Sequence, residues 1–248
     1  QRQMCIRDRK YMDYLNYHTD ESNRFTSSHD GPWVEEYRKF EETHTNPDRL
    51  VASLFKDKYF ILKKVNPKEL MWGMYWVASD MQNAETKVSF YDLFKGQELF
   101  DLWQCVNYRF YVGNANHADG KGIVVANAKS LLRNILDSAD EAIRKGGIAA
   151  TLRFGHDGNV IPLVALMQIE NCNVAVSDPY EVYKVWSDFK VVPMAANVQI
   201  IFFRNEKSND ILVKIMHNEN EVHIPVQTDM FPYYRWRDVE NYYRGMLK

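Results

Sequence analysis

The chain has 248 residues, 46% of them hydrophobic and 14% aromatic, which is enough apolar side chain to bury a sizeable core and excludes an intrinsically disordered protein. Lys and Arg total 31 against 33 for Asp and Glu, a formal net charge of −2, so no overall field gathers a polyanion and nucleic acid is not an expected partner. No apolar run approaches the roughly 20 residues of a membrane helix, since even Leu70 to Met81 is bracketed by Glu69 and Asp80.

Residues 1–10 lack periodicity and are set aside as a non-native leader. Four helix starts then share one device, a capping residue with Pro close behind: Asp30-Gly-Pro32, Asn46-Pro47, Asn66-Pro67 and Asp178-Pro179. After the first, Trp33, Val34, Tyr37 and Phe40 fall at helical spacing, and after the second Leu50, Val51, Leu54 and Phe55 do. Leu70, Met71, Met74, Tyr75 and Val77 carry a third helix to about Gln82, and Leu99, Leu102, Trp103 and Val106 a fourth toward Tyr111. Gly113 to Gly122 reads as a solvated polar loop, and Asn127 to Lys145 as a long helix closed by Gly146, with Leu131, Leu132, Ile135, Ala139 and Ala142 facing the core.

The pattern then changes. Ile148–Phe154, bounded by Gly146-Gly147 and Gly155, reads as a buried interior strand, and Asn159–Met167 as the helix after it. Asn197–Arg204 and Ile211–His217 flank Asn205 to Asp210 as a hairpin, Val222–Val226 suggests a short strand, and a helix from Trp236 to Leu247 closes the chain. The expected division is a mainly helical cap region over 11–145 and the C-terminal part of a layered α/β domain over 146–248. Cys5, Cys105 and Cys172 are too few and too scattered for a disulfide framework or a zinc cluster, and His217 and His223 read as surface histidines.

The chemistry is expected where the strand hands over to the helix. His156 and Asp157 sit at that edge, where unpaired backbone N–H groups and the helix dipole favour an anion such as phosphate. His156 can donate a hydrogen bond to a phosphoryl oxygen, and a protonated Asp157 can supply the departing alkoxide with its proton. Asp is also a good capping residue, so the spacing alone equally allows both residues merely to cap the helix.

Leu152-Arg-Phe-Gly-His-Asp-Gly-Asn159 followed by Val-Ile-Pro-Leu163 resembles the C-terminal motif of histidine acid phosphatases, in the branch that includes phytases and multiple inositol polyphosphate phosphatases. Phe94 to Tyr111, Ser130 to Ile143, Pro193 to Gln199 and Pro232 to Trp236 are similar to segments of its bacterial inositol-polyphosphate members, so the resemblance runs over 11–248. It implies an α/β fold, a three-layer histidine-phosphatase-like domain with a mixed sheet and a helical cap region. It implies a phosphomonoester hydrolase acting on inositol polyphosphates such as phytate, with no cofactor or metal, and a periplasmic or secreted location. By the same resemblance His156 holds the transferring phosphoryl group, Asp157 is the proton donor, and Asn159 agrees with the motif as a substrate-binding position. Arg153 is a further candidate phosphate ligand, although a residue inside a strand can equally cover its outer face.

The sequence departs from the pattern twice. Gly158 stands where the motif usually has Thr, and none of the seven histidines lies in the Arg-His-Gly context of the family's nucleophile. That nucleophile is expected upstream of residue 1, leaving this chain alone inactive and a sheet edge uncovered. Two other functions remain open: a metal-dependent His-Asp phosphohydrolase, and a remnant that binds a phosphate ligand without turnover. The oligomeric state is not readable from the sequence.

Overall fold

The computed structural model describes residues 18–205, 207 and 210–248. The proposed leader and Cys5 lie outside them. The chain forms two compact units, one of Pro32–Arg109 and one that joins the residues through Gly31 to Phe110–Lys248, so the units divide the chain elsewhere than at the expected 145/146 boundary.

In the first unit, α2 (Val34–His44) and α3 (Asp48–Leu54) follow α1 (Asp20–Thr26) of the other unit, and α4 (Lys58–Leu62), α5 (Pro67–Asp80) and the start of α6 (Gly96–Asn114) complete it. Its core is Leu50, Met71, Tyr75, Ala78, Phe94 and Leu102; Leu50, Met71, Tyr75 and Leu102 lie on the expected apolar spacings, whereas Val77, expected with them, is exposed and Ala78 takes its place. Tyr37 stacks on Tyr108 with rings 5.9 Å apart and 8° from parallel. Arg49 ties α3 to α6, donating from Nε to Glu98 at 2.5 Å and from Nη2 to the Leu93 carbonyl at 2.7 Å.

The four proline-marked starts behave differently. Asn66 caps α5 as expected, its Oδ1 accepting from Lys68 N at 3.0 Å and Glu69 N at 3.3 Å, with Pro67 as the first helical residue. Asp178 does the same for α9 (Pro179–Val185). Asn46 accepts from Asp48 N at 3.2 Å although the residue flanking α3 is Pro47. Asp30 does not cap α2: its carboxylate accepts from the Ser27 hydroxyl, and Trp33 begins the helix without a side-chain cap.

The second unit holds α7 (Lys129–Lys145), α8 (Asp157–Leu166), α9, α10 (Asp188–Val191), α11 (Trp236–Met246) and a small sheet, against which α11 packs through β2 and β4. β1 (Val198–Arg204) pairs antiparallel with β2 (Ile211–His217) from Val198↔His217 to Arg204↔Ile211, the hairpin expected from the sequence. β3 (Asn220–Glu221) and β4 (Tyr233–Arg235) both pair antiparallel with β2, so the further strand lies just before the expected 222–226 and β4 was not anticipated. Val213, Ile215, Tyr234, Val239, Tyr243, Ile161 and Val164 are buried in this unit. Arg244 fastens α11 to α7 through Asp137 at 2.9 Å and Asp140, and Trp236 Nε1 donates to Asp140 at 3.0 Å. The expected core face of α7 is nearly right, with Leu136 fully buried and Ile135 only partly.

One expectation fails outright. Ile148–Phe154 is not a buried strand: residues 146–156 carry no regular structure, and Ile148, Leu152 and Phe154 are 51%, 75% and 77% exposed. Apolar and β-branched residues supply the tendency to extend, but a strand exists only through its ladder, and no strand among the described residues pairs with this segment. Gly146 and Gly147 explain how the chain leaves α7, since their φ values of +68° and +77° are ones that side-chain-bearing residues rarely adopt.

Candidate active site

The site is built on the first turn of α8. His156 is its N-cap, with φ −107° and ψ 171°, and its carbonyl accepts the first helical bonds from Asn159 N at 2.9 Å and Val160 N at 3.1 Å. Asn159 folds back over the turn so that its Oδ1 accepts from His156 N at 3.1 Å. Gly155 makes this possible, because a Cβ there would stand 3.1 Å from that same oxygen. Behind the turn, Ile161 to Leu166 are all buried and fix the helix in the core.

His156 and Asp157 are exposed on this turn, and Asp157 Oδ1 accepts from Gly158 N at 2.8 Å. The structure thus keeps the expected pair at a helix N-terminus but presents it from an exposed extended segment, not from the end of a sheet strand. Arg153 is drawn the other way. Its Nη2 donates to Asn134 Oδ1 at 2.8 Å and Ser138 Oγ at 2.7 Å, and its Nε to Asn134 Oδ1 at 3.1 Å, seating the guanidinium on α7. Asn159 keeps its place in the first turn, with its amide oxygen engaged in the cap.

The other histidines take structural places. The loop carrying His117 is no solvated loop: α6 runs on to Asn114, and buried His117 accepts from Asp119 N at 3.3 Å through Nδ1, capping a short 3₁₀ turn over Ala118–Gly120. Burial holds its imidazole below the ordinary value, against the opposing pull of Asp119. His217 is 7% exposed rather than on the surface, because β2 turns it inward. Its Nε2 donates to the Val191 carbonyl at 2.8 Å, leaving Nδ1 to face Cys172 Sγ at 3.7 Å. Burial lowers this imidazole too and pushes the Cys172 thiol up to about 12. His223 is exposed and stacks on Phe231 at 4.0 Å. Cys105 and Cys172 are both buried and free, and among the described residues no three His, Cys, Asp or Glu side chains group as metal ligands.

A residue not singled out from the sequence meets the turn from the other side. Asn114, the last residue of α6, places Oδ1 3.3 Å from where a Cβ on Gly158 would be. Only its membership of a polar run was visible beforehand.

An α/β chain with a His-Asp pair on a helix N-terminus after Arg-Phe-Gly defines a class, and residues 2–218 match the sequence model of the histidine phosphatase superfamily, branch 2. The chain belongs to that family. Among solved structures it is similar to the multiple inositol polyphosphate phosphatase of Bifidobacterium longum in complex with inositol hexasulfate, with 22% identity and a TM-score of 0.61 over 70% of this chain and 38% of that one. The phosphate complex of the same protein aligns at 22% identity and a TM-score of 0.60, covering 71% and 39% of the two chains. The chain therefore spans about two fifths of the length of these neighbours, and the likeness shows the expected histidine-phosphatase-like α/β fold. No curated protein matches.

Proposed function

We propose that the protein serves phosphomonoester hydrolysis of the histidine acid phosphatase type, with inositol polyphosphates such as phytate as the substrate class. The observation that carries the reading is the exposed His156-Asp157 pair on the first turn of α8, where the positive end of the helix dipole favours a phosphoryl group. In it His156 donates to a non-bridging phosphoryl oxygen, and Asp157 gives a proton to the leaving alkoxide and then returns as base to activate water. Asn159 holds the turn that aims both residues. Arg153 contributes to substrate binding only by leaving Asn134 and Ser138 for the phosphate. The substrate class draws support from the neighbour that binds inositol hexasulfate and phosphate, while a secreted or periplasmic location is proposed from the family resemblance alone.

No histidine of this sequence sits in the Arg-His-Gly context of the family's nucleophile. This observation favours a second reading for the chain by itself, ligand binding without turnover. The test is one preparation with two readouts. Isothermal titration with inorganic phosphate and inositol hexasulfate is expected to give binding that His156→Ala removes, while phytate and a chromogenic phosphate ester are not turned over and no phosphohistidine accumulates. Turnover that survives in the 248-residue protein and is lost with His156→Ala would mean that another residue is the nucleophile. Binding indifferent to His156 would remove the site itself.

A further inference from the structure

Asn114 closes the open side of the turn that carries Asp157. Its Nδ2 donates to the Phe110 carbonyl at 3.1 Å, one turn back along α6, which fixes the amide so that Oδ1 faces α8. That oxygen stands 3.3 Å from the Cβ position of Gly158, so a side chain at 158 makes a tight contact that requires it to give by a few tenths of an ångström. Gly158 N is at the same time the donor that holds Asp157 Oδ1 at 2.8 Å. A neutral carboxamide thus backs the peptide that orients the acid, in the space a larger residue after His-Asp would take.

We infer that Asn114 is a positioning residue for Asp157, and that its lack of charge is required for an anionic phosphate ester to bind at the α8 N-terminus. The inference rests on the reading of His156 and Asp157 as the ligand-facing pair. Gly158 and Asn114 then act as one unit: the glycine admits the amide, and the amide keeps the 157–158 peptide in place.

The experiment is titration of the full chain with inorganic phosphate and with inositol hexasulfate, comparing the wild type with His156→Ala, Asn114→Ala, Asn114→Asp, Gly158→Thr and the double variant Asn114→Ala/Gly158→Thr. Asn114→Asp keeps the shape and adds a negative charge beside the anion, so at pH 7.5 it is expected to weaken binding roughly tenfold or more, an effect that shrinks as salt is raised. Asn114→Ala should weaken it less. Gly158→Thr should weaken it more when Asn114 is present than when Asn114 is Ala, because the tight contact is with that side chain. Thermal melts accompany each titration, and the isosteric Asn114→Asp carries the test if the smaller variants do not fold. Binding lost in His156→Ala but unchanged in Asn114→Asp, with only the melting temperature altered, overturns the inference while leaving the site. Equal binding by wild type and His156→Ala, or none by the wild type at millimolar phosphate, overturns the reading beneath it.

Discussion

The ring of His217 donates to a main-chain carbonyl and faces the Cys172 thiol, and the ring of His117 accepts from a turn amide. Burial is the largest influence on both, and it holds each imidazole below the ordinary 6.5 in the folded state. Between 6.5 and those lower values the unfolded chain binds more protons, so stability falls as pH drops through that window, and above 6.5 neither group contributes. Chemical denaturation at a series of pH values from 7.5 downward is expected to record that loss. His117→Gln and His217→Gln should each flatten the slope, whatever they do to stability at pH 7.5. Residue identity at 156–157 was legible because the two side chains are adjacent in sequence and belong to one turn. The approach of Asn114 to Gly158 was not, because α7 and the extended segment separate the two residues along the chain.

At the scale of elements, the proline-marked starts separate local chemistry from context. Asn66 satisfies two N–H groups of α5 by itself, and Asn66→Ala is expected to cost about 1 kcal/mol in equilibrium denaturation. Asp30→Ala should not carry a capping penalty for α2, since its carboxylate holds Ser27 instead. The hairpin of β1 and β2 was readable with its register because both strands and their turn are continuous in sequence. The segment 148–154 was misread as a strand because its apolar run speaks of burial, while the partner that would hydrogen-bond it cannot be read from the run itself.

For the whole molecule, that segment is a surface with consequences. Leu152 and Phe154 expose 75% and 77% of their surface in a stretch with no ladder partner among the described residues. Concentration-dependent self-association is expected in light scattering, and Leu152→Ser with Phe154→Ser should reduce it. Because neither side chain is buried, the melting temperature should stay within about 2 °C, as for surface changes generally. Among the described residues no helix is long and apolar enough to cross a membrane.

By itself the sequence determined the family resemblance, the helices with apolar periodicity, the β1–β2 hairpin and the His156-Asp157 pair, because each depends on residues near one another along the chain. The tertiary structure decided that 148–154 is exposed, that His117 and His217 are interior, that Arg153 binds α7, and that Asn114 meets Gly158. Burial and partnership are relations between distant segments, and only the folded chain brings those segments together.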